Sequence, residues 1–255
     1  MQQRLPIAAL ALAALTLLAI SVVTARRPAT PLPSLDGYFD RWQAGHGYDP
    51  RAGSVWVRGW LTGVYRLARP LARRGVRPDV LTVWTVMLSL SVLAAAAEGG
   101  RWRMLAAWLL VFSGIGDSLD GAVAVMTQRA TRWGYVLDSL VDRINDVIYV
   151  LAVVVAGAPS WLGVVCAFSF FCLEYLRARA GNAGAGEVRE VTVGERPNRV
   201  AFCAAGLYCS GLFLASASAI ATGALAALSA LTTIGLVQLT IAVRRHLRQA
   251  AGPIA

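Results

Sequence analysis

Apolar runs long enough to span a membrane alternate with short basic links along most of this chain. Crossing the hydrocarbon core takes about 20 mostly apolar residues. A first run, Leu5 to Ala25, lies between Arg4 and the pair Arg26 and Arg27; six more fall at roughly 80–98, 103–126, 134–157, 160–178, 200–218 and 220–243. Between the first run and the rest the pattern changes twice. Residues 28–54 are rich in Pro, Gly and Asp and read as a polar linker. The stretch "VWVRGWLTGVYRLARPLARRGVRPDV" then mixes Trp, Leu, Val and Tyr with Arg66, Arg69, Arg73 and Arg74. That is the pattern of a helix lying in the membrane interface with its arginines toward anionic headgroups. The predicted fold is an all-α integral membrane protein. It is a six-transmembrane-helix bundle preceded by an interfacial amphipathic helix and an extra N-terminal hydrophobic segment. The expected divisions are an anchor or signal over 1–27, a linker over 28–55, a membrane domain over 56–248 and a tail over 249–255.

Composition supports the membrane reading. The 255 residues are 57% hydrophobic and 15% charged, with a mean hydropathy of +0.57, whereas soluble domains carry about 25% charged residues. The formal charge is +10, and all 24 basic residues are Arg. Their placement matters more than their number. Arg66 to Arg77, Arg129 and Arg132, Arg177 to Arg199, and Arg244 to Arg248 fall at alternate span ends, while the opposite ends hold only Arg101 and Arg103. The positive-inside rule makes the Arg-rich ends cytoplasmic, in a multi-pass cell-membrane protein. Such placement favours anionic lipid and phosphate over nucleic acid as partners. The basic pair after the first run fits an uncleaved anchor, although its Val-Thr-Ala offers the small residues of a signal cleavage site. Cys166, Cys172, Cys203 and Cys209 lie in apolar runs without metal-ligand spacing and read as small buried hydrophobes. His46 and His246 have no partners at ligand spacing either.

One stretch breaks the apolar pattern. "GDSLDGAVAVMTQRATRWGYVLDSLVDR", residues 116–143, places Asp117 and Asp120 near the end of the second span, and Asp138 and Asp142 near the start of the third. Spacings of three and four put each pair on one helical face, and the short link makes the two helices antiparallel neighbours. Four carboxylates can therefore meet at the cytoplasmic margin. Arg143 and Arg129 could neutralise two at most. Mg²⁺ suits such a site because it takes carboxylate oxygens together with substrate phosphates, and two ions would bind and activate a pyrophosphate. Gly121 and Gly134 flank the pairs and leave room for a ligand or for close helix approach. The bland alternative is intramembrane ion pairing or helix capping. A proton or ion pathway would instead spread acidic residues over several spans.

The spacing Asp117-x2-Asp120-Gly121-x2-Ala124-x9-Gly134-x3-Asp138-x3-Asp142 resembles the signature of the CDP-alcohol phosphatidyltransferase family. The likeness covers about residues 56–248. "RPDVLT" at 77–82, "EYLRARAGNAG" and "GERPNR" resemble the phosphatidylinositol phosphate synthase branch. The resemblance implies a homodimeric six-helix enzyme that takes a CDP-lipid donor, namely CDP-diacylglycerol, and releases CMP. It implies two Mg²⁺ or Mn²⁺ ions on Asp117, Asp120, Asp138 and Asp142, with Asp142 also the catalytic base. Arg77, Pro78, Asp79, Val80, Gly121, Thr131 and Gly134 fall where the donor nucleotide is contacted. Arg177, Arg196, Arg199 and Arg245 fall where the phosphate of the acceptor is bound. That acceptor is expected to be a phosphorylated polyol such as inositol phosphate, with glycerol phosphate the alternative. A catalytically weak lipid-binding scaffold is the reading outside the enzyme class. One departure bears on the donor. The family pattern has Arg directly after the alanine, where this chain has Val125. Arg129, at i+4, would share that face if the helix persists, and is expected to take over the contact. Lesser departures are Arg177 for Lys, Gly181 for Glu and Asn198 for Glu.

Overall fold

Long apolar runs in which every backbone polar group must find a partner within the segment leave helix as the economical choice, and the described residues are helical over most of each predicted span. A computed structural model describes residues 5–23, 25, 27–28, 30–185 and 191–249. The helices are α1 (Leu5–Val23), α2 (Leu35–His46), α3 (Val55–Arg74), α4 (Pro78–Glu98), α5 (Trp102–Thr127), α6 (Arg132–Val155), α7 (Ser160–Ala180), α8 (Arg196–Leu212) and α9 (Ala217–Gln249). The tail expected over 249–255 lies, apart from Gln249, outside the described residues, as do 1–4, 24 and 26 of the N-terminal segment.

Among the described residues, four helices are long and apolar enough to cross a membrane: Pro78–Glu98, Trp102–Thr127, Ser160–Ala183 and Leu214–Gln249. The chain is thus an all-helical, multi-pass membrane protein. The other two expected spans fall short for identifiable reasons. α6 carries Asp138, Asp142, Arg143 and Asp146 within nine consecutive residues, 138–146, and α8 is 17 residues long. The fifth expected run, 200–218, breaks at Phe213, where a short 3₁₀ turn over Leu214–Ser216 leads into α9.

The chain divides into two compact units. One comprises Met1–Ser91 with Phe112–Asn145, the other Val92–Val111 with Asp146–Ala255. In the first unit, the segment expected as a polar linker is largely ordered. Ser34 caps α2 by accepting from the Gly37 N–H at 3.2 Å. Tyr38 and Phe39 are buried in a cluster with Leu61, Val64, Tyr65 and Ala68 of α3 and with Ala122, Val123 and Met126 of α5. Burial pushes the Tyr38 phenol up to about 12, so it remains neutral. Leu18 and Val22 of α1 pack against the same cluster. The interfacial stretch is amphipathic as expected: α3 buries Leu61, Val64, Tyr65, Ala68 and Ala72 while Trp56 and Leu67 stay exposed. Its end is a Schellman turn, in which Gly75 (φ 77°) donates to the Ala72 carbonyl and Val76 to the Leu71 carbonyl.

Small polar side chains tie α4, α5 and α6 together within this unit. Ser113 Oγ donates to the Thr85 carbonyl at 3.1 Å, and Asn145 Nδ2 donates to Thr85 Oγ1 at 3.0 Å. In apolar surroundings such contacts are among the few that fix register between helices. In the second unit, α9 packs against α7 and α8. Leu173, Ala180, Leu239 and Val243 form a buried cluster there.

Candidate functional site

The aspartates stand on two helix ends joined by residues 128–131. α5 stops in a Schellman turn, with Gln128 at φ 55° donating to the Val125 carbonyl and Arg129 to the Ala124 carbonyl at 3.0 Å. α6 then begins under a side-chain cap, the Gly134 N–H donating to Thr131 Oγ1 at 2.9 Å. Thr131, expected at the donor nucleotide, therefore also has this capping task.

The structure brings three of the four carboxylates together. Oxygens of Asp117, Asp138 and Asp142 all lie within 4.8 Å of one another, each side chain half-buried. Asp120 is turned to other partners: Thr82 of α4 donates to its Oδ2 at 2.5 Å, and the Gly121 N–H to its Oδ1 at 2.6 Å. The reason lies outside the Asp-rich stretch, because the hydroxyl comes from a residue 38 positions away.

Two like charges at about 4 Å cost roughly 1 kcal/mol in water and 4 kcal/mol at an effective dielectric of 20. A trio repeats that cost over three pairs. Arg143 lies 3.7 Å from Asp142 and offsets part of it. A hard divalent cation suits the remainder, since clustered carboxylate oxygens are its preferred ligands. The donor set therefore fits the metal that the spacing implies.

Asp117 and Asp138 of the trio border a cavity of about 410 Å³, and Asp142 is not among its lining residues. Asp120, Pro78, Asp79, Gly121, Thr131 and Gly134 line it as well. A Cβ at Gly121 would meet nothing within 4 Å, so its missing side chain faces open space, whereas one at Gly134 would lie 3.1 Å from Thr131 Oγ1. Arg77 is largely exposed, 3.7 Å from Asp79, and neither it nor Val80 borders the cavity. Arg129 is the cavity's only basic lining residue among those described, and Val125 lines it too. The helical i, i+4 reasoning for this pair fails, because α5 ends at Thr127. The tight turn brings Arg129 to the cavity instead, with NH1 3.4 Å from the Gly75 carbonyl.

The arginines expected at the acceptor lie in the second unit, and Arg177, Arg196 and Arg199 are engaged with carboxylates. Arg199 is 2% exposed; its NH1 donates to Asp146 at 2.8 Å, its NH2 to Glu174 at 2.9 Å and its Nε to the Gly194 carbonyl at 2.9 Å. Its guanidinium also lies 4.7 Å from the Phe170 ring centre. Arg196 is 3.7 Å from Asp146, and Arg177 NH2 donates to Glu195 at 2.8 Å. Arg245 is exposed near the end of α9. Asp146, to which spacing assigns no role, is thus a centre of this network. Thr82, Tyr38 and Trp42 likewise escape sequence reasoning, the last two because the linker composition hides an amphipathic helix.

Comparison with known proteins adds a decisive observation. The family model of the CDP-alcohol phosphatidyltransferases matches residues 76–244. This chain belongs to the CDP-alcohol phosphatidyltransferase family. Members move a phosphatidyl-type group from a CDP-linked donor to an alcohol. The archaetidylinositol phosphate synthase of Methanothermobacter thermautotrophicus is 34% identical over 147 residues, 56% of this chain and 72% of that one. The phosphatidylinositol phosphate synthase of Cutibacterium acnes is 33% identical over 130 residues, 48% of this chain and 62% of that one. Among solved structures, Mycobacterium tuberculosis phosphatidylinositol phosphate synthase with CDP-DAG bound gives a TM-score of 0.60 at 25% identity, covering 75% of this chain and 98% of that one. The same enzyme in complex with manganese and citrate gives 0.61 at 24% identity, covering 75% and 93%.

Proposed function

We propose that this chain transfers a phosphatidyl group from CDP-diacylglycerol to a phosphorylated polyol such as inositol phosphate, releasing CMP in phospholipid synthesis. The observation that carries the reading is the meeting of Asp117, Asp138 and Asp142 within 4.8 Å at the edge of a cavity. The names of the relatives, inositol phosphate synthases of two lipid types, support the acceptor class. Glycerol phosphate is the alternative acceptor.

In this reading Asp117, Asp138 and Asp142 hold Mg²⁺ or Mn²⁺, with Asp120 completing the set when it leaves Thr82. The bound ions would neutralise the pyrophosphate and stabilise CMP as a leaving group. Asp142 takes the proton from the acceptor hydroxyl as that oxygen attacks the lipid-linked phosphorus. Arg77, Pro78, Asp79, Val80, Gly121, Thr131 and Gly134 receive the nucleotide. Arg177, Arg196 and Arg245 bind the acceptor's phosphate through guanidinium hydrogen bonds, supported by Arg199. α6 and α8 complete six spans over a domain at 56–248, with residues 1–27 a retained anchor whose Leu18 and Val22 pack on the core. The protein is placed in the cell membrane as a homodimer, its site on the cytoplasmic side where the arginines gather.

The direct test is CMP release by purified protein given CDP-diacylglycerol, Mg²⁺ or Mn²⁺, and a panel of alcohols. Inositol phosphate should give the fastest release, and chelation by EDTA should stop it. No CMP with any acceptor would reject the enzyme reading in favour of a lipid-binding scaffold. Arg129→Ala should weaken donor affinity by about tenfold or more, as loss of a hydrogen bond to a charged group costs about 1.5–3 kcal/mol, and Val125→Arg should restore part of it. Unchanged donor affinity in Arg129→Ala would show that Arg129 does not serve the donor.

A further inference from the structure

Residues 35–46 lie outside the region that matches the family, 76–244, yet as α2 they build part of the cavity wall. Tyr38 and Trp42, one turn apart on that helix, both line it. Two kinds of contact hold the helix in place. Tyr38 is buried and packs against Tyr65 of α3 in a tilted arrangement, with ring centres 5.4 Å apart. Arg41, between the two lining residues, donates from NH1 to the Met126 carbonyl at 2.7 Å. Met126 is in the last turn of α5, where carbonyls lack helical partners and a cationic donor is most favourable. Trp42 itself is half-buried and meets Tyr48 edge-on at 6.1 Å.

The cavity lining therefore combines two unlike kinds of residue: the carboxylates Asp117, Asp120 and Asp138, and the aromatic residues Tyr38, Trp42, Trp60 and Tyr135. A CDP-lipid has matching parts. Its pyrophosphate needs cations, while its pyrimidine ring and its glycerol ester chains are the groups that stack or pack on phenol and indole faces.

We propose that α2 is a donor-recognition element outside the family-matched region: Tyr38 and Trp42 contact an apolar group of the CDP-lipid, and Arg41 is the positioning residue that clamps α2 to the end of α5. This rests on the functional reading above and extends it to residues the family pattern does not include.

The test uses the full-length protein in lipid nanodiscs with Mn²⁺. Affinities are measured for CDP-diacylglycerol and for soluble CDP, beside Mn²⁺ uptake. Trp42→Ala should bind CDP-diacylglycerol about 5- to 100-fold more weakly, the range expected for losing one aromatic stacking partner, and Trp42→Phe should recover most of it. Arg41→Ala should raise KM for the donor more than it lowers kcat, and Arg41→Lys, which keeps a donor for the Met126 carbonyl, should recover part. A parallel loss of CDP affinity assigns the wall to the pyrimidine; intact CDP affinity assigns it to the glycerol and acyl end. Both support the proposal. Equal CDP-diacylglycerol affinity in wild type, Trp42→Ala and Arg41→Ala overturns it, as does a loss matched by falling Mn²⁺ uptake, which would be general unfolding. Wild-type protein that binds no CDP-diacylglycerol sinks the functional reading, and this inference with it, through a different measurement.

Discussion

Replacing Asp142 by Asn is expected to lower CMP release by about 10²- to 10⁴-fold, the usual contribution of a positioned general base. The substitution is nearly isosteric, so packing around α6 should survive and melting should change little. Two features of the site set the size of the effect. Asp142 shares the carboxylate trio with Asp117 and Asp138, so the amide weakens metal binding by removing a charge. It also cannot accept the acceptor's proton, a loss that added metal does not repair. Mn²⁺ titration separates the two contributions. Asp142→Asn should remain slow at saturating Mn²⁺, whereas Asp117→Asn should recover much of its activity as Mn²⁺ is raised. If Asp142→Asn recovered equally well, its role would be that of a ligand alone.

The largest expected effect on stability comes from Arg199→Met. Arg199 is buried between Asp146 and Glu174, with hydrogen bonds of 2.8 and 2.9 Å. Removing one partner of a buried pair typically costs about 3–5 kcal/mol, because the other charge is left uncompensated. Asp146 is 2% exposed and would be left with Arg196 at the longer distance of 3.7 Å. The double variant Arg199→Met with Asp146→Asn should regain part of the loss, since the more deeply buried of the two carboxylates then carries no charge. Thermal unfolding in detergent checks both. A wild-type melting temperature in Arg199→Met would mean that the pair contributes nothing. This result also bears on the acceptor. A residue with three polar contacts and a ring against it has little freedom to receive a phosphate, which is why Arg177 and Arg196 are the better candidates for direct contact.

Much of the fold is legible in the residues themselves. Span length and apolar content locate the helices from α4 onward, with ends displaced by up to six residues in α8 and α9, because in a bilayer a segment's own composition decides whether it crosses. The arginine-rich helix over 55–74 can be read in the same way, from residues close together in the chain. So can the aspartates, since spacings of three and four define a helical face without reference to anything distant. Where helical periodicity has to end without a glycine, the pattern misleads. Gln128 adopts the left-handed conformation that usually advertises itself as Gly, and the condition on which Arg129 would share the face of Val125, a helix that persists, fails with it. Composition also misleads over residues 28–55, where Pro and Gly at the borders conceal a helix whose apolar face is short.

Local pattern is sufficient to establish that the long apolar segments are helical, that the chain lives in a membrane, and that four of its aspartates gather at the join of two helices. All of these depend on neighbours a few residues apart. Which carboxylates converge is settled by contacts between distant parts of the chain. Thr82 draws Asp120 aside across 38 positions, Arg199 reaches Asp146 across 53, and Arg41 clamps to Met126 across 85. Each of those choices is a competition for a hydrogen-bond partner among groups that folding alone brings within reach.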